Sequence, residues 1–241
     1  MGETGVINGQ KTFISGADVS DYYITVVRTD RAPKKKAEGV SVLIVDAHSP
    51  GIEVRPLKKL GIKSVHACEV FFDNVLVPKE NLLGQKDKGW YQLVSTLNNE
   101  RIGVAAMALG VAEAAFEDSV RYAKEREAFG KPIGQFQAIQ HYLADSATKI
   151  ELATLLLLKA AWMQSKEQRC DVEATMAKLY ASEVAFEIAS IGIQIMGGYG
   201  YMMEYDMQRY FRDVKVFSFA PISNEMARNY IAESLGLPKS Y

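Results

Sequence analysis

The sequence predicts an α+β protein: a small antiparallel β-sheet or barrel over residues 1–85, then an antiparallel four-helix bundle over residues 86–241. Three observations carry this. Up to Pro78 the apolar residues come in short β-branched and aromatic runs with no helical pattern between them. From Trp90 onward they recur every three or four residues over long stretches. Between the two lies Gly84-Gln-Lys-Asp-Lys-Gly89, a linker without an apolar side chain.

Each predicted strand is bounded by turn formers. Residues 6–15 are read as a hairpin, two strands joined at Asn8-Gly9, a dipeptide suited to a two-residue turn. Strands follow at 22–27, 40–45, 52–55, 68–72 and 75–77, bounded by Gly, Pro, Asp or Asn. Without helices between them, they fit antiparallel neighbours better than βαβ units. Nothing precedes the first hairpin to cover its faces, so the sequence is expected to start partway through a larger protein. Arg31-Ala-Pro-Lys-Lys-Lys36 reads as a solvated loop tip, and His48 and His66 as isolated loop residues. No metal site is expected.

In the second part, Leu93, Leu97, Val104, Ala108, Ala112, Phe116 and Val120 mark a helix over residues 90–124. Ile139, Leu143, Ile150, Ala153, Leu157 and Ala161 mark a second. Val172, Met176, Leu179, Phe186, Ala189, Ile193 and Met196 mark a third, ended by Gly197-Gly-Tyr-Gly200. A fourth, shorter helix covers residues 223–235, with Ser223 as N-cap and Glu225 in its first turn. Short or medium loops make antiparallel packing the economical arrangement.

The totals exclude some function classes. Twenty-eight Lys and Arg stand against 29 Asp and Glu, a net charge of −1, so no global field favours nucleic acid or an anionic membrane. No uninterrupted apolar run is long enough to span a bilayer, and no signal-peptide pattern opens the sequence. Cys68 and Cys170, far apart and without metal-ligand spacing, are expected as reduced thiols. The expected compartment is the cytoplasm, or the mitochondrial matrix in a eukaryote.

Three places concentrate chemistry. Residues 126–140 join two helices and gather Arg126, Phe129 and several glutamines at one bend. Guanidinium, ring and amides suit an anionic, flat, ring-bearing ligand; a turn with a solvated Arg126, a core Phe129 and a glutamine-capped helix uses the same residues. Phe13 and Ser15, two apart on a strand, are expected on one face, as a stacking and hydrogen-bonding pair or as ordinary sheet residues. Glu100 follows Leu97 by three and precedes Val104 by four, which puts a carboxylate on an apolar helix stripe. Buried alone it would cost several kcal/mol, so it is expected to have a function or an ion pair with an arginine such as Arg209 or Arg212.

Together these segments resemble the acyl-CoA dehydrogenase family of flavoproteins, from its middle β-domain to its C-terminus. Asn8-Gly-Gln-Lys-Thr-Phe-Ile-Ser15 is similar to the family's NGxKxWIT segment. Gly51-Ile-Glu-Val54 through Phe71-Phe-Asp-Asn-Val-Leu-Val-Pro78 is similar to the end of the middle domain. Arg126-Glu-Ala-Phe-Gly-Lys-Pro-Ile-Gly-Gln-Phe-Gln137 resembles its RxxFGxxxxxxQ loop, and Gln194-Ile-Met-Gly-Gly-Tyr-Gly200 with Arg212-Asp213 its QxxGGxGY…RD block. Four blocks in family order cover nearly the whole chain; the family's N-terminal helical domain is missing.

The resemblance implies FAD as cofactor and an acyl-CoA thioester as substrate. Phe13 would pack on the isoalloxazine and Ser15 bond its reactive nitrogen. Arg126, Phe129, Gln137, Gln194 and Gly198 would serve the pyrophosphate and adenine side, reaching the FAD of a neighbouring subunit. That implies a homo-oligomer, dimer or tetramer. Ser223 and Glu225 fall where the family places further FAD contacts, and an electron-transfer flavoprotein or similar acceptor would take the electrons. The implied chemistry is α,β-dehydrogenation, a carboxylate removing the α-proton while hydride leaves the β-carbon. One departure matters: Pro221 stands where many members carry the catalytic glutamate. A minority, the isovaleryl-CoA and long-chain types, carry it just ahead of an arginine in the first long helix, and that position is Glu100. Competing expectations are a relative with different flavin chemistry (oxidase, monooxygenase or acyl-CoA reductase) and a cofactor-free oligomerisation fragment.

Overall fold

A computed structural model describes residues 4–35 and 37–239, which fall into two compact units, Met1–Thr96 and Leu97–Tyr241. The first unit holds two antiparallel three-stranded sheets. One runs β1 (Thr4–Ser15), β5 (Ala67–Pro78), β4 (Ile52–Leu57); the other runs β2 (Tyr22–Arg28), β3 (Val40–Asp46), β6 (Leu82–Leu83). Ile7, Cys68, Val70, Phe72, Val75 and Val77 of the first sheet share one core with Tyr23 and Val45 of the second. Tyr23 can be buried there because its hydroxyl donates to the Ala17 carbonyl, 2.7 Å away, and its ring meets Phe72 edge-on.

The expected hairpin at residues 6–15 does not form. β1 is one strand, laid along the full length of β5. Ile7 pairs with Val75 and Gly9 with Phe72, so Asn8 alone faces Asp73 and Asn74, a β-bulge. Asn8 Oδ1 accepts from the Asn74 backbone N–H at 2.8 Å, which satisfies the backbone the bulge leaves unpaired. A 12-residue partner strand outcompetes the local turn that Asn-Gly favours. The same bulge fuses the predicted strands at 68–72 and 75–77 into β5. Arg31, Lys34 and Lys35 are exposed, as a loop tip should be; Lys36 lies outside the described residues. His48, in a turn, faces Asp21, and His66, just before β5, faces Asp18.

The helical unit matches its predicted periodicity closely. α1 spans Gly89–Glu125, α2 Gln137–Ser165 and α3 Asp171–Met196. α4 (Gly198–Tyr201) and α5 (Met207–Val214) follow, then α6 (Asn224–Ser234). Ion pairs Lys149–Glu187 and Lys159–Glu173 set α2 antiparallel to α3. α1 runs parallel to α3: Asn98 donates to Asp171 at one end, and the rings of Tyr122 and Tyr199 meet at the other. α3 is the central helix, burying Ala174, Ala177, Ala181, Ala185 and Ala189, small side chains that admit close neighbours. α4 and α5 were not expected, being too short for a 3.6-residue period to register. α3 is long and apolar enough by length and composition to cross a membrane, yet half of that stretch is buried in the bundle. Both cysteines are buried free thiols.

Candidate functional site

The candidate residues gather in four places, two of them marked by unusual backbone. In β1, Lys11 pairs with Val70 and Ile14 with Cys68, so Thr12 and Phe13 together oppose Glu69 in a second bulge. Phe13 has φ 63° and is 76% exposed. Left-handed backbone at a bulky residue is an outlier costing of order 1–3 kcal/mol, and here it turns a large apolar ring into solvent. Simple alternation therefore does not relate Phe13 to Ser15, as the sequence had predicted; the bulge sets their directions, and both are exposed. The loop after Ser15 is tied down by the Gly16 N–H donating to the His66 carbonyl at 2.9 Å and by His66 Nδ1 meeting Asp18 Oδ2 at 2.5 Å. That bond holds the Asp18 carboxyl below its usual range, while burial pushes the Cys68 thiol up.

The bend after α1 is built the same way. β7 (Glu127–Ala128) and β8 (Lys131–Pro132) enclose Phe129 and Gly130, with φ 53° and 78°, the two positive angles of a type I′ turn. Phe129 occupies a position that favours Asn or Gly, and it is 95% exposed. It is not the core residue one sequence alternative allowed, nor does a glutamine cap α2: Phe136 is the N-cap residue, without a side-chain bond, and Gln137 is exposed. The Arg126 guanidinium is exposed over the Tyr199 ring at 5.6 Å. Arg126, Tyr122, Met196, Gly198, Tyr199 and Met202 line an open pocket of about 520 Å³. Gln194, also exposed, lies one turn before Gly198. A Cβ on Gly200 would meet the Ile193 backbone at 2.9 Å, so internal packing explains that glycine. Nothing in the chain lies within 4 Å of a Cβ on Gly198, so internal packing does not explain that one.

At the start of α6, Ser223 is the N-cap as predicted, its Oγ accepting from the Met226 N–H at 3.2 Å. Glu225 is exposed; hydrogen bonds from its own backbone amide and from Ser223 hold its carboxyl below the usual range. Lys178, beneath this turn, was missed. Its signal was a lysine on the stripe of Ala174, Ala177 and Ala181, which the structure buries completely.

Glu100 requires a correction. It does not face the bundle interior; it is exposed, and Arg101 next to it is buried. The buried side of α1 runs through Arg101, Ala105, Ala108, Ala112 and Ala115. Arg101 stacks on Tyr230 at 5.4 Å and donates to Asn98, while Asn98 donates to Asp171. The alternative ion pair is also absent: Arg209 faces Asp206 and Asp213, and Arg212 binds Gln208. Among the described residues the Glu100 side chain makes no hydrogen bond or ion pair.

Two family models match the chain: acyl-CoA dehydrogenase, middle domain, over residues 1–75, and acyl-CoA dehydrogenase, C-terminal domain, over residues 87–236. A 3-(aryl)acrylate reductase of Clostridium sporogenes is 40% identical over 235 residues, 97% of this chain and 62% of that protein. The caffeyl-CoA reductase–Etf complex subunit CarC of Acetobacterium woodii is 39% identical, over 98% of this chain and 62% of its own length. The structure of butyryl-CoA dehydrogenase from Megasphaera elsdenii superposes with a TM-score of 0.93 at 39% identity, covering 97% of this chain and 61% of that one. The chain thus spans about three-fifths of the length of the relatives it matches. With two successive domain models matched in order and a shared fold, the chain belongs to the acyl-CoA dehydrogenase family.

Proposed function

We propose that the protein is an FAD-dependent enzyme interconverting an acyl-CoA thioester and its α,β-unsaturated counterpart. The observation that carries this is the pair of solvent-exposed phenylalanines, Phe13 and Phe129, each held in left-handed backbone. Neither ring contributes to a core, and strain of this kind persists where an external ligand uses it. Gly198, open to solvent beside Arg126, fits the same reading, because a glycine with no internal reason is explained by something approaching from outside. These residues suit a flavin dinucleotide: rings for stacking, the Ser15 hydroxyl for a ring edge, Arg126 for phosphate, and the amides of Gln137 and Gln194 for further hydrogen bonds. Ser223 and Glu225 would add contacts at the α6 end.

FAD, when bound, supplies the acceptor or donor of the hydride at the β-carbon. Glu100 takes or returns the α-proton, and its lack of any internal partner leaves it free for that role. Arg101, anchored through Asn98 and Tyr230, fixes the helix turn that carries it. The water exclusion such a base needs must come from bound ligand and from other parts of the protein. The reductive direction is a specific second reading, since the two relatives described above are named reductases. An electron-transfer flavoprotein as partner has similar support, one of them being named as part of an Etf complex.

A homo-oligomer is part of the proposal. Leu152, Leu155, Leu158 and Trp162 of α2 are all more than half exposed and lie within about 120° of the helix circumference. A self-associating face of this kind would carry the Arg126 bend toward a second copy.

The test uses the full-length protein. It should be yellow, and its visible band should bleach when a matching acyl-CoA is added. Glu100→Gln should keep the colour but slow bleaching by about 10²–10⁴-fold. A protein that takes up no added FAD would overturn the reading, and unslowed bleaching in Glu100→Gln would remove Glu100 from it.

A further inference from the structure

Lys178 is a cation in the middle of the central helix, wholly buried, where an apolar side chain would fill the same space. Its Nζ donates to the Ile222 carbonyl at 2.5 Å and to Asn224 Oδ1 at 2.8 Å. Ser182, one turn further along α3 and also fully buried, shares its hydroxyl proton between the Leu179 carbonyl at 2.9 Å and the same Asn224 oxygen at 3.1 Å. Asn224 is 5% exposed. Two side chains four residues apart on α3 therefore converge on the two residues that flank Ser223. The segment between α5 and α6 is a 3₁₀ turn followed by bends, with few backbone bonds of its own. The Ile222 carbonyl and the buried Asn224 side-chain oxygen take their donors from α3.

We propose that Lys178 is a positioning residue: its ammonium pins residues 222–224 to α3 and so fixes Ser223 and Glu225, the α6 residues assigned to FAD. The link to FAD rests on the function proposed above; the brace itself does not. No carboxylate forms an ion pair with Lys178 among the described residues. Glu225 on α6 and Glu183 on α3 favour its charge from a distance, and Glu183 is itself paired with Arg228 of α6 at 2.5 Å. Burial outweighs them and brings the lysine pKa down to about 8. A buried charge retained without a carboxylate partner indicates that its hydrogen bonds to the loop are what it serves.

The experiment compares full-length wild type, Lys178→Met and Asn224→Asp by hydrogen exchange, thermal unfolding against pH, and FAD binding. In Lys178→Met the amides of residues 222–226 should exchange about tenfold faster, with β5 unchanged. Asn224→Asp, which offers the ammonium a carboxylate, should keep them slow. In wild type the unfolded state retains the lysine proton to higher pH than the folded state, so Tm should rise as pH goes from about 8 toward the ordinary lysine range. That rise should vanish in Lys178→Met and move to higher pH in Asn224→Asp. FAD affinity should fall about tenfold in Lys178→Met and stay near wild type in Asn224→Asp. Unchanged exchange in Lys178→Met, or the same Tm profile in all three proteins, would overturn the brace. If Lys178→Met does not fold, the pH shift in Asn224→Asp decides the matter. A wild type that binds no FAD would sink the proposed function, while the exchange and Tm results would still decide the role of Lys178.

Discussion

Phe72 and Phe13 sit on neighbouring strands of one sheet and are treated in opposite ways. Phe72, on β5, is 6% exposed, in regular backbone, with Tyr23 at its edge. Phe13, on β1, stands at a bulge in left-handed backbone with its ring in solvent. The first side chain stabilises the fold by leaving water. The second costs conformational energy and buries little within the chain. Phe129 repeats the second case in the helical unit, at the first position of a tight turn. The difference separates phenylalanines that build the protein from those displayed for something outside it, a distinction that hydrophobicity alone does not make.

The largest effect should come from the core member. Phe72→Ala should lower unfolding free energy by about 3–5 kcal/mol, measured in urea, through lost burial and the cavity left behind. The displayed rings should respond with the opposite sign. Phe129→Asn gives the turn the Asn-Gly pair that a type I′ geometry favours, so stability should rise by roughly 0.5–1 kcal/mol, while FAD affinity of the full-length protein falls. If Phe129→Asn instead destabilises the protein by as much as Phe72→Ala does, the contrast between the two kinds of phenylalanine collapses.

The sequence made one side of this contrast visible and hid the other. Periodicity located α1, α2, α3 and α6 to within a few residues because each turns an apolar stripe inward over many turns. It could not locate the bulges in β1, since a bulge depends on pairing with β5, more than 50 residues away. Asn8-Gly9 looked like a hairpin for that reason: the local preference was real, but the long-range ladder prevailed. Periodicity also misplaced Glu100. Leu97 is only partly buried, so the stripe that seemed to include the carboxylate is the margin of the buried face rather than its centre. Arg101 occupies the inner face instead, where Asn98, itself bonded to Asp171, and the Tyr230 ring meet it. The Arg126 bend was legible as a candidate site from composition. Its decisive feature, the left-handed Phe129, was not, because residue identity does not report φ when the residue is an unusual choice for it.

The smallest expected effect concerns what holds the Phe13 bulge in place. The loop beyond Ser15 is tied to β5 by the Asp18–His66 pair, with Cys68 donating to the same carboxyl. The folded carboxyl titrates below its unfolded value, so its contribution to stability is present above the ordinary Asp pKa and is lost as pH falls through the lowered one. Asp18→Asn should therefore lower Tm slightly at neutral pH, and the gap from wild type should close as the solution is acidified below the ordinary carboxylate range. The pair is partly open to solvent, His66 more than Asp18, which keeps the effect small and makes it sensitive to salt. The Gly16 amide, bonded to the His66 carbonyl, should exchange faster in the variant. A Tm gap that persists unchanged in acid would mean that Asp18 acts through shape rather than charge, and that the strained residue beside it is held by backbone pairing alone.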